Sequence, residues 1–163
     1  MRCIENKQMS LGQIAIENIE FDPKSRDDIP QILKGLQHLY INKETREEIF
    51  AELEKLIPQK VNKNNGRPGM QLWAIFVLGM LRLNLNWDYD RLQEMVNNHA
   101  TIRQMLGHGF FDEFNYHLQT IKDNVALFTP EILDNINQIV ISAGHKVVKK
   151  KIKICERGAI RLL

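Results

Sequence analysis

The chain has 163 residues and a formal net charge of +2, with 44% hydrophobic and 26% charged residues. This balance is typical of a soluble globular protein and excludes a largely disordered chain. The first residues have no apolar core of a secretory signal, and the longest apolar run, Leu72 to Leu81, is shorter than the roughly 20 residues of a membrane span. We therefore expect a cytoplasmic protein whose Cys3 and Cys155 are free thiols.

The charges are distributed unevenly along the chain. Residues 1–57 carry 8 Lys and Arg against 11 Asp and Glu, whereas residues 58–84 carry four basic residues and no acid. Residues 149–163 carry six basic residues and one acid. Basic clusters are candidate phosphate-binding surfaces, although a cluster of this kind alone is more often a solvated surface.

The first half of the chain predicts an arm and three helices. Residues 1–26 lack a persistent period. Asp27 or Asp28 is expected to cap a first helix, and Asn42 a second one that runs to about residue 57 and has an acidic exposed face. A polar loop follows, and then a helix over about 70–83 that is apolar nearly all round and must be covered on most sides. Gly79 inside that helix indicates close packing of another helix.

The second half predicts four more helices. Asp88 or Asp90 is expected to cap a short helix, and a break at residues 97–99 leads to another that Gly107 ends. A link rich in glycine and aromatic residues comes next, followed by a helix over about 115–128. Thr129-Pro130-Glu131 is a strong start signal for a last helix that ends near Val148. No strand pattern is present, so the predicted fold is all-α.

The order of the central elements is that of a helix-turn-helix, a layout that many helical bundles also contain. Several motifs make it more specific. Downstream, Gln119–Asn124 and the helix that begins at Thr129 resemble one branch of the same family that the central motifs indicate. The central motifs are Gly66-Arg67-Pro68-Gly69-Met70, Leu78-Gly79-Met80-Leu81-Arg82, Asn86-Trp87-Asp88-Tyr89-Asp90-Arg91-Leu92 and Ile102-Arg103-Gln104-Met105-Leu106-Gly107. Over about residues 28–150 the chain resembles the front region of bacterial insertion-sequence transposases of the DDE type.

This resemblance implies a division of labour. The front region of such transposases binds transposon-end DNA or helps to pair the ends, while a later RNase H-like domain holds two divalent metals with three carboxylates. Residues 149–163 contain no Asp and no longer resemble the family. We therefore expect a copy truncated by a frameshift or an early stop before the catalytic domain, with no catalytic residue, cofactor or metal site of its own.

The resulting domain prediction has four parts. An irregular or disordered N-terminal arm covers residues 1–26, and a helical DNA-binding-type domain with a helix-turn-helix-like centre covers 27–109. A helical hairpin at 110–148 would lead to the missing catalytic domain. Residues 149–163 would be a basic, frameshifted C-terminal tail. The whole is a multi-helix bundle.

Candidate DNA contacts are chosen by residue type, because Arg suits guanine and phosphate whereas Asn and Gln suit adenine. The alternative is that each is an ordinary exposed polar residue. Trp73 and Trp87 are interpreted as packing residues, and the five histidines have no metal-ligand spacing. The candidates are Lys60, Lys63, Arg67, Arg82, Arg91, Gln93, Asn97, Asn98, His99, Arg103 and Gln104.

Two functions remain open. In the first, the chain binds double-stranded transposon-end DNA without catalysis. In the second, it is a helical protein–protein module that dimerises or inhibits full-length transposase through the apolar face Ile132–Val147. Neither hypothesis involves a membrane or a small-molecule substrate.

Overall fold

The computed structural model describes residues 3–5, 8–58 and 69–160, with residues 148–160 described by their backbone alone. These parts of the chain form seven α-helices, one short 3-10 helix at Ile16–Asn18 and no strand. The all-α prediction is confirmed. The helices are α1 (Ile29–Ile41), α2 (Lys43–Glu54), α3 (Leu72–Leu85), α4 (Tyr89–Asn98), α5 (Ala100–Met105), α6 (Leu118–Val125) and α7 (Pro130–Ile160).

Helix α3 is the centre of the core. Every residue from Leu72 to Leu81 is buried, because a helix that is apolar all round must be covered all round. Helices α1, α2, α4 and α6 contact it. Trp73 packs among aromatic rings, and its indole N–H donates to the carbonyl of Met105 at 3.1 Å. The interpretation of Trp73 as a packing residue is confirmed.

Side-chain caps begin the helices where the sequence indicates them. Each cap satisfies a backbone N–H that has no partner within its own helix. At α1 the accepting carboxylate belongs to Asp27, since Asp28 makes no cap bond. The bonds run from Ile29 N to Asp27 Oδ1 (3.1 Å), Thr45 N to Asn42 Oδ1 (3.2 Å), Arg91 N to Asp88 Oδ1 (2.7 Å) and Ile132 N to Thr129 Oγ1 (3.3 Å).

The predicted bounds of α2, α6 and α7 are wrong. Helix α2 ends at Glu54 and is followed by a turn, and α6 is shorter than the predicted 115–128. The largest difference is at α7, which continues to Ile160 instead of ending near Val148. Lysine is a good helix former, and no Gly or Pro interrupts residues 145–157. The described part of the basic segment is therefore helix.

The described part of the N-terminal arm is irregular apart from its 3-10 turn, as predicted, and it packs against the core. Ile19 is buried. The carbonyls of Cys3 and Ile4 accept hydrogen bonds from the N–H groups of Leu72 and Trp73 at 3.0 and 2.9 Å. The arm thereby satisfies donors that the first turn of α3 leaves unpaired.

Gly79 marks a close approach, as predicted, but the partner is a side chain between helices. A Cβ built on Gly79 would lie 2.7 Å from Cε2 of Phe128, in the turn that joins α6 to α7. Glycine is thus the residue that lets the Phe128 ring lie against α3.

Candidate nucleic-acid interface

Helices α4 and α5 form a tight corner next to α3. The single residue His99 ends α4 and begins α5, where its Nδ1 accepts from the N–H of Ile102 at 3.4 Å. Ile102 and Met105 are buried, so one side of α5 faces the core. At the other end of α4, Asn86 adopts a left-handed conformation (φ 51°) that turns the chain out of α3. The corner places the candidate residues of both short helices near one another.

Two of the candidate side chains hold the segment after α5. This segment, residues 107–117 between α5 and α6, is called the aromatic loop below. Gln93 Nε2 and Asn97 Nδ2 both donate to the carbonyl of Tyr116, at 3.0 and 3.1 Å. Asn97 Oδ1 accepts from the N–H of Tyr116 at 2.8 Å. Their amide groups therefore position the loop.

Arg103, another of the sequence candidates, is also bound within the chain. Its two terminal nitrogens donate to the carbonyls of Phe114 and Asp112 at 2.8 and 2.7 Å. The planar guanidinium suits this task because it directs several donors in a fixed geometry. Its role in the described structure is to fold the aromatic loop back on α5.

His108 completes the support of the loop. Its Nδ1 lies 2.6 Å from Asp112 Oδ2, and its Nε2 lies 2.7 Å from the hydroxyl of Tyr116. The bond from His108, with a smaller contribution from the N–H of Phe114, lowers the pKa of Asp112. Burial raises the pKa of Tyr116, so its phenol stays protonated and is a poor nucleophile. The bonds of His108 thus link Asp112 to Tyr116 and hold the two parts of the aromatic loop together.

Arg82 is likewise engaged. Its guanidinium lies over the ring of Tyr89, 4.3 Å from the centroid, and Lys122 Nζ lies 5.9 Å from the same centroid. The buried Arg82 Nε has no hydrogen-bond partner in the part of the chain that the structure describes. The cation–π contact with the Tyr89 ring compensates part of the free-energy cost of burying this nitrogen without a partner. Arg82 thus joins α3 to the start of α4.

The remaining described candidates are more open. Arg91 and Asn98 are exposed on α4, while Gln104 is half-buried. Arg91 pairs with Glu94 at 2.8 Å, and Asn98 Nδ2 donates to the carbonyl of Glu94 at 2.8 Å. An exposed ion pair of this kind contributes at most about 1 kcal/mol. Arg91 can therefore exchange its partner for another anion at small cost.

Three candidates, Lys60, Lys63 and Arg67, lie outside the described residues. Of the basic residues near the end of α7, Lys146 has a described side chain, which pairs with Glu44 at 3.2 Å. Residues 149–160 have helical backbone.

Two further surface features are open to solvent. The aromatic loop carries Phe110 and Phe111 exposed to solvent, and an apolar groove lies between α1, α3 and α7. The glycine- and aromatic-rich pattern of residues 107–111 was the available signal for the first. For the groove, the sequence indicated one wall, the apolar face Ile132–Val147 of the last helix, but not the walls from α1 and α3, because those helices are far apart in the chain.

No family model, curated protein or solved structure matches the chain. Among the described residues, no group of three or more His, Cys, Asp or Glu side chains is arranged to hold a metal ion. No helix in the described ranges has the length and apolar character needed to cross a bilayer. The resemblance to transposases stays a prediction from the motifs.

Proposed function

We propose that this chain binds duplex DNA as the front region of a bacterial insertion-sequence transposase, with the transposon end as its target. The observation that carries the proposal is the continuity of α7 through the lysine-rich segment. From Lys146 to Arg157 the chain has six basic residues and one acid. Cations on one helix that replace the counterions of DNA phosphates supply affinity that is independent of base sequence.

The spacing of these basic residues along α7 supports the same function. Lys146, Lys150, Lys153 and Arg157 are separated by four, three and four residues, which puts them on one face of an α-helical backbone. A row of cations on one helix face is the electrostatic footprint expected of a nucleic-acid-binding element.

Base readout in this proposal is limited. Gln93, Asn97 and Arg103 are used to hold the aromatic loop, so they act by positioning. Arg91 is the exposed candidate that can exchange its weak carboxylate partner for a phosphate or a guanine edge. Phosphate contacts would dominate the affinity, and cutting and joining would belong to a separate catalytic domain with its own divalent metals.

The experiment is a gel shift or fluorescence anisotropy titration with a duplex carrying the inverted repeat nearest the gene, at several salt concentrations. The test variant replaces Lys146, Lys150 and Lys153, three members of this row, with Gln. The control is Lys43→Gln, because Lys43 is an exposed lysine on the acidic helix α2. We expect the slope of log K against log salt to fall by about one for each lysine–phosphate pair that the triple variant removes, with no change in the control.

Two outcomes would overturn the proposal. One is that the full chain fails to bind the duplex at low salt. The other is that the triple variant binds with unchanged affinity and salt slope. A random duplex of equal length measures how much of the affinity depends on sequence.

A second candidate function is that of a helical protein–protein module. Ile132 and Ile136 of α7 are buried within the chain, so the first half of the face Ile132–Val147 is already covered. Val140, Ala143 and Val147, in the second half, line the open groove. That groove is the observation that favours this candidate.

A further inference from the structure

The arm and the aromatic loop together present an exposed apolar tip, formed by Leu11, Phe110 and Phe111. These side chains are 87%, 88% and 71% exposed, although large apolar residues usually lie inside a folded protein. The two phenyl rings are edge to face with centroids 5.3 Å apart, and the N–H of Phe110 donates to the carbonyl of Gly12 at 3.2 Å. A contiguous exposed patch of this kind indicates an interaction site.

The backbone holds the tip in one arrangement. Gly12 has a φ of +78°, and a Cβ on Gly109 would lie 2.6 Å from the carbonyl oxygen of Leu11. Only glycine fits such a close approach. Arg103 fixes the other side of the loop through the carbonyl of Asp112. A tip that is already ordered loses little conformational entropy when it is bound.

The apolar groove between α1, α3 and α7 is the second surface. Its volume is about 510 Å³, within the range of pockets that hold compact ligands, about 300–1,000 Å³. A Cβ on Gly35 of α1 or on Gly144 of α7 would meet no atom within 4 Å. Glycine inside a helix costs about 1 kcal/mol against Ala, and at these positions it leaves open space. Ile32, Leu36, Leu39, Met80, Val140 and Val147 supply apolar walls.

The charges next to the two surfaces have opposite signs. Lys34 lines the groove, and no carboxylate of the described residues does. Helices α1 and α3 contain no Asp or Glu. Directly after the tip come Asp112 and Glu113, both exposed. The groove therefore suits an apolar group accompanied by acid, which is what the tip provides.

One chain cannot place its tip in its own groove. Met80 lies in the groove near the end of α3, whereas Trp73, near the start of α3, is bonded to Met105 just before the aromatic loop. Trp73 and Met80 are seven residues apart in α3, which is about 10 Å along the helix at 1.5 Å per residue. No tip residue lines the groove, and the backbone bonds of Phe110 and Asp112 hold the tip away from it, so the groove the tip can enter is that of another molecule.

We infer that the apolar tip of one copy docks in the apolar groove of a second copy of this chain. The phenyl rings are shielded from water in the groove, and Glu113 approaches Lys34. Because tip and groove are different surfaces of the same chain, the contact is head to tail and is repeated from copy to copy. The inference does not require DNA binding.

The test measures the mass of the full chain by size exclusion with light scattering over a range of concentrations. The tip variant is Phe110→Ser with Phe111→Ser, and the groove variant is Gly35→Leu, which fills the open space. The control is Ile141→Ser, because Ile141 is a half-exposed apolar residue of α7 that does not line the groove. We expect the unaltered chain and the control to associate with rising concentration. The association of each variant should be weaker by a factor of at least about ten.

Mixing decides whether the tip and the groove are partners. The tip variant keeps an intact groove and the groove variant keeps an intact tip, so an equimolar mixture should associate although neither variant does alone. A mixture that stays monomeric overturns the inference, as does an unaltered chain that is monomeric at all concentrations. Association that survives both variants overturns it as well, since another surface would then join the copies.

A charge exchange keeps the test valid if Gly35→Leu does not fold, which circular dichroism would reveal. Lys34→Glu puts an acid beside the acids of the incoming tip and should weaken association. Adding Glu113→Lys to the same chain should restore it, because the pair is then reversed. Failure of the second substitution to restore association contradicts the proposed contact.

Discussion

Asn97 and Tyr116 are paired through both polar groups of the asparagine side chain. The Nδ2 of Asn97 donates to the Tyr116 carbonyl at 3.1 Å, and its Oδ1 accepts from the Tyr116 N–H at 2.8 Å. The side chain thus gives the loop backbone the pair of bonds that a neighbouring strand would give. Most of the aromatic loop depends on contacts of this kind, since it has no regular structure of its own.

Replacing Asn97 should therefore destabilise the fold. Asn97→Ala leaves the N–H of the buried Tyr116 without its acceptor, and we expect a loss of about 1–3 kcal/mol in the free energy of unfolding. Urea unfolding followed by circular dichroism measures it. Asn98→Ala is the matched control, because within the described ranges Asn98 bonds to a carbonyl of its own helix and not to the loop. Equal losses in the two variants would contradict the role of the pair.

Replacement by alanine should have opposite effects on stability at Gly79, which lies against a neighbouring ring, and at Gly144, which has open space around it. Gly79→Ala places a methyl group against the Phe128 ring, so we expect destabilisation of about 1–2 kcal/mol despite the better helix propensity. Gly144→Ala meets no atom and should stabilise the chain by about 0.5–1 kcal/mol. Thermal or urea unfolding measures both changes. Adding Phe128→Ala to Gly79→Ala should cost less than the sum of the two single changes; additive costs would refute the clash.

Asp112 should contribute to the pH dependence of stability. The hydrogen bond from His108 lowers the pKa of Asp112 in the folded chain. Its contribution is therefore complete above the unfolded pKa of about 3.9 and is lost as pH falls through the lower folded value. Between about pH 5 and the acid limb, the urea midpoint should fall more steeply for the unaltered chain than for Asp112→Asn. Glu113→Gln, at the exposed neighbour, should follow the unaltered chain, and parallel curves for all three would contradict the prediction.

Replacing Arg103 and replacing Arg91 should have different effects on stability and on DNA binding. Arg103→Gln removes two bonds from a charged donor to loop carbonyls, so stability should fall by about 1–2 kcal/mol. Arg91→Gln should leave stability within about 0.5 kcal/mol and, if the proposed function holds, reduce the salt slope of DNA binding by about one. Unfolding and anisotropy titrations of both variants measure this difference. A stable Arg103→Gln with an intact loop would contradict the positioning role.

Local sequence signals located most of the helices. Asn42, Asp88 and Thr129 cap the helices they were expected to cap, because a side-chain oxygen followed by a free backbone N–H is a short-range arrangement. The signal for the length of α7 was also present, since lysine favours helix. The basic composition of the same residues favours a tail, so the two signals disagree there.

The uses of Gln93, Asn97 and Arg103 could not be predicted in the same way. Their partners are backbone groups 9 to 23 residues away, in a loop without a periodic pattern. Residue type made them candidates for reading bases, and the same donors and acceptors serve a folded backbone equally well.

The sequence by itself determined the all-α class, the buried central helix and the caps, because these depend on residue spacing and on neighbours within one turn. Only the tertiary structure decided which polar side chains are engaged inside the chain and which surfaces stay open. The tip needs Gly12 beside Phe110, and the groove needs Gly35 and Gly144 in its walls. Such contacts join residues that are far apart in the chain, so they exist only after the helices have packed.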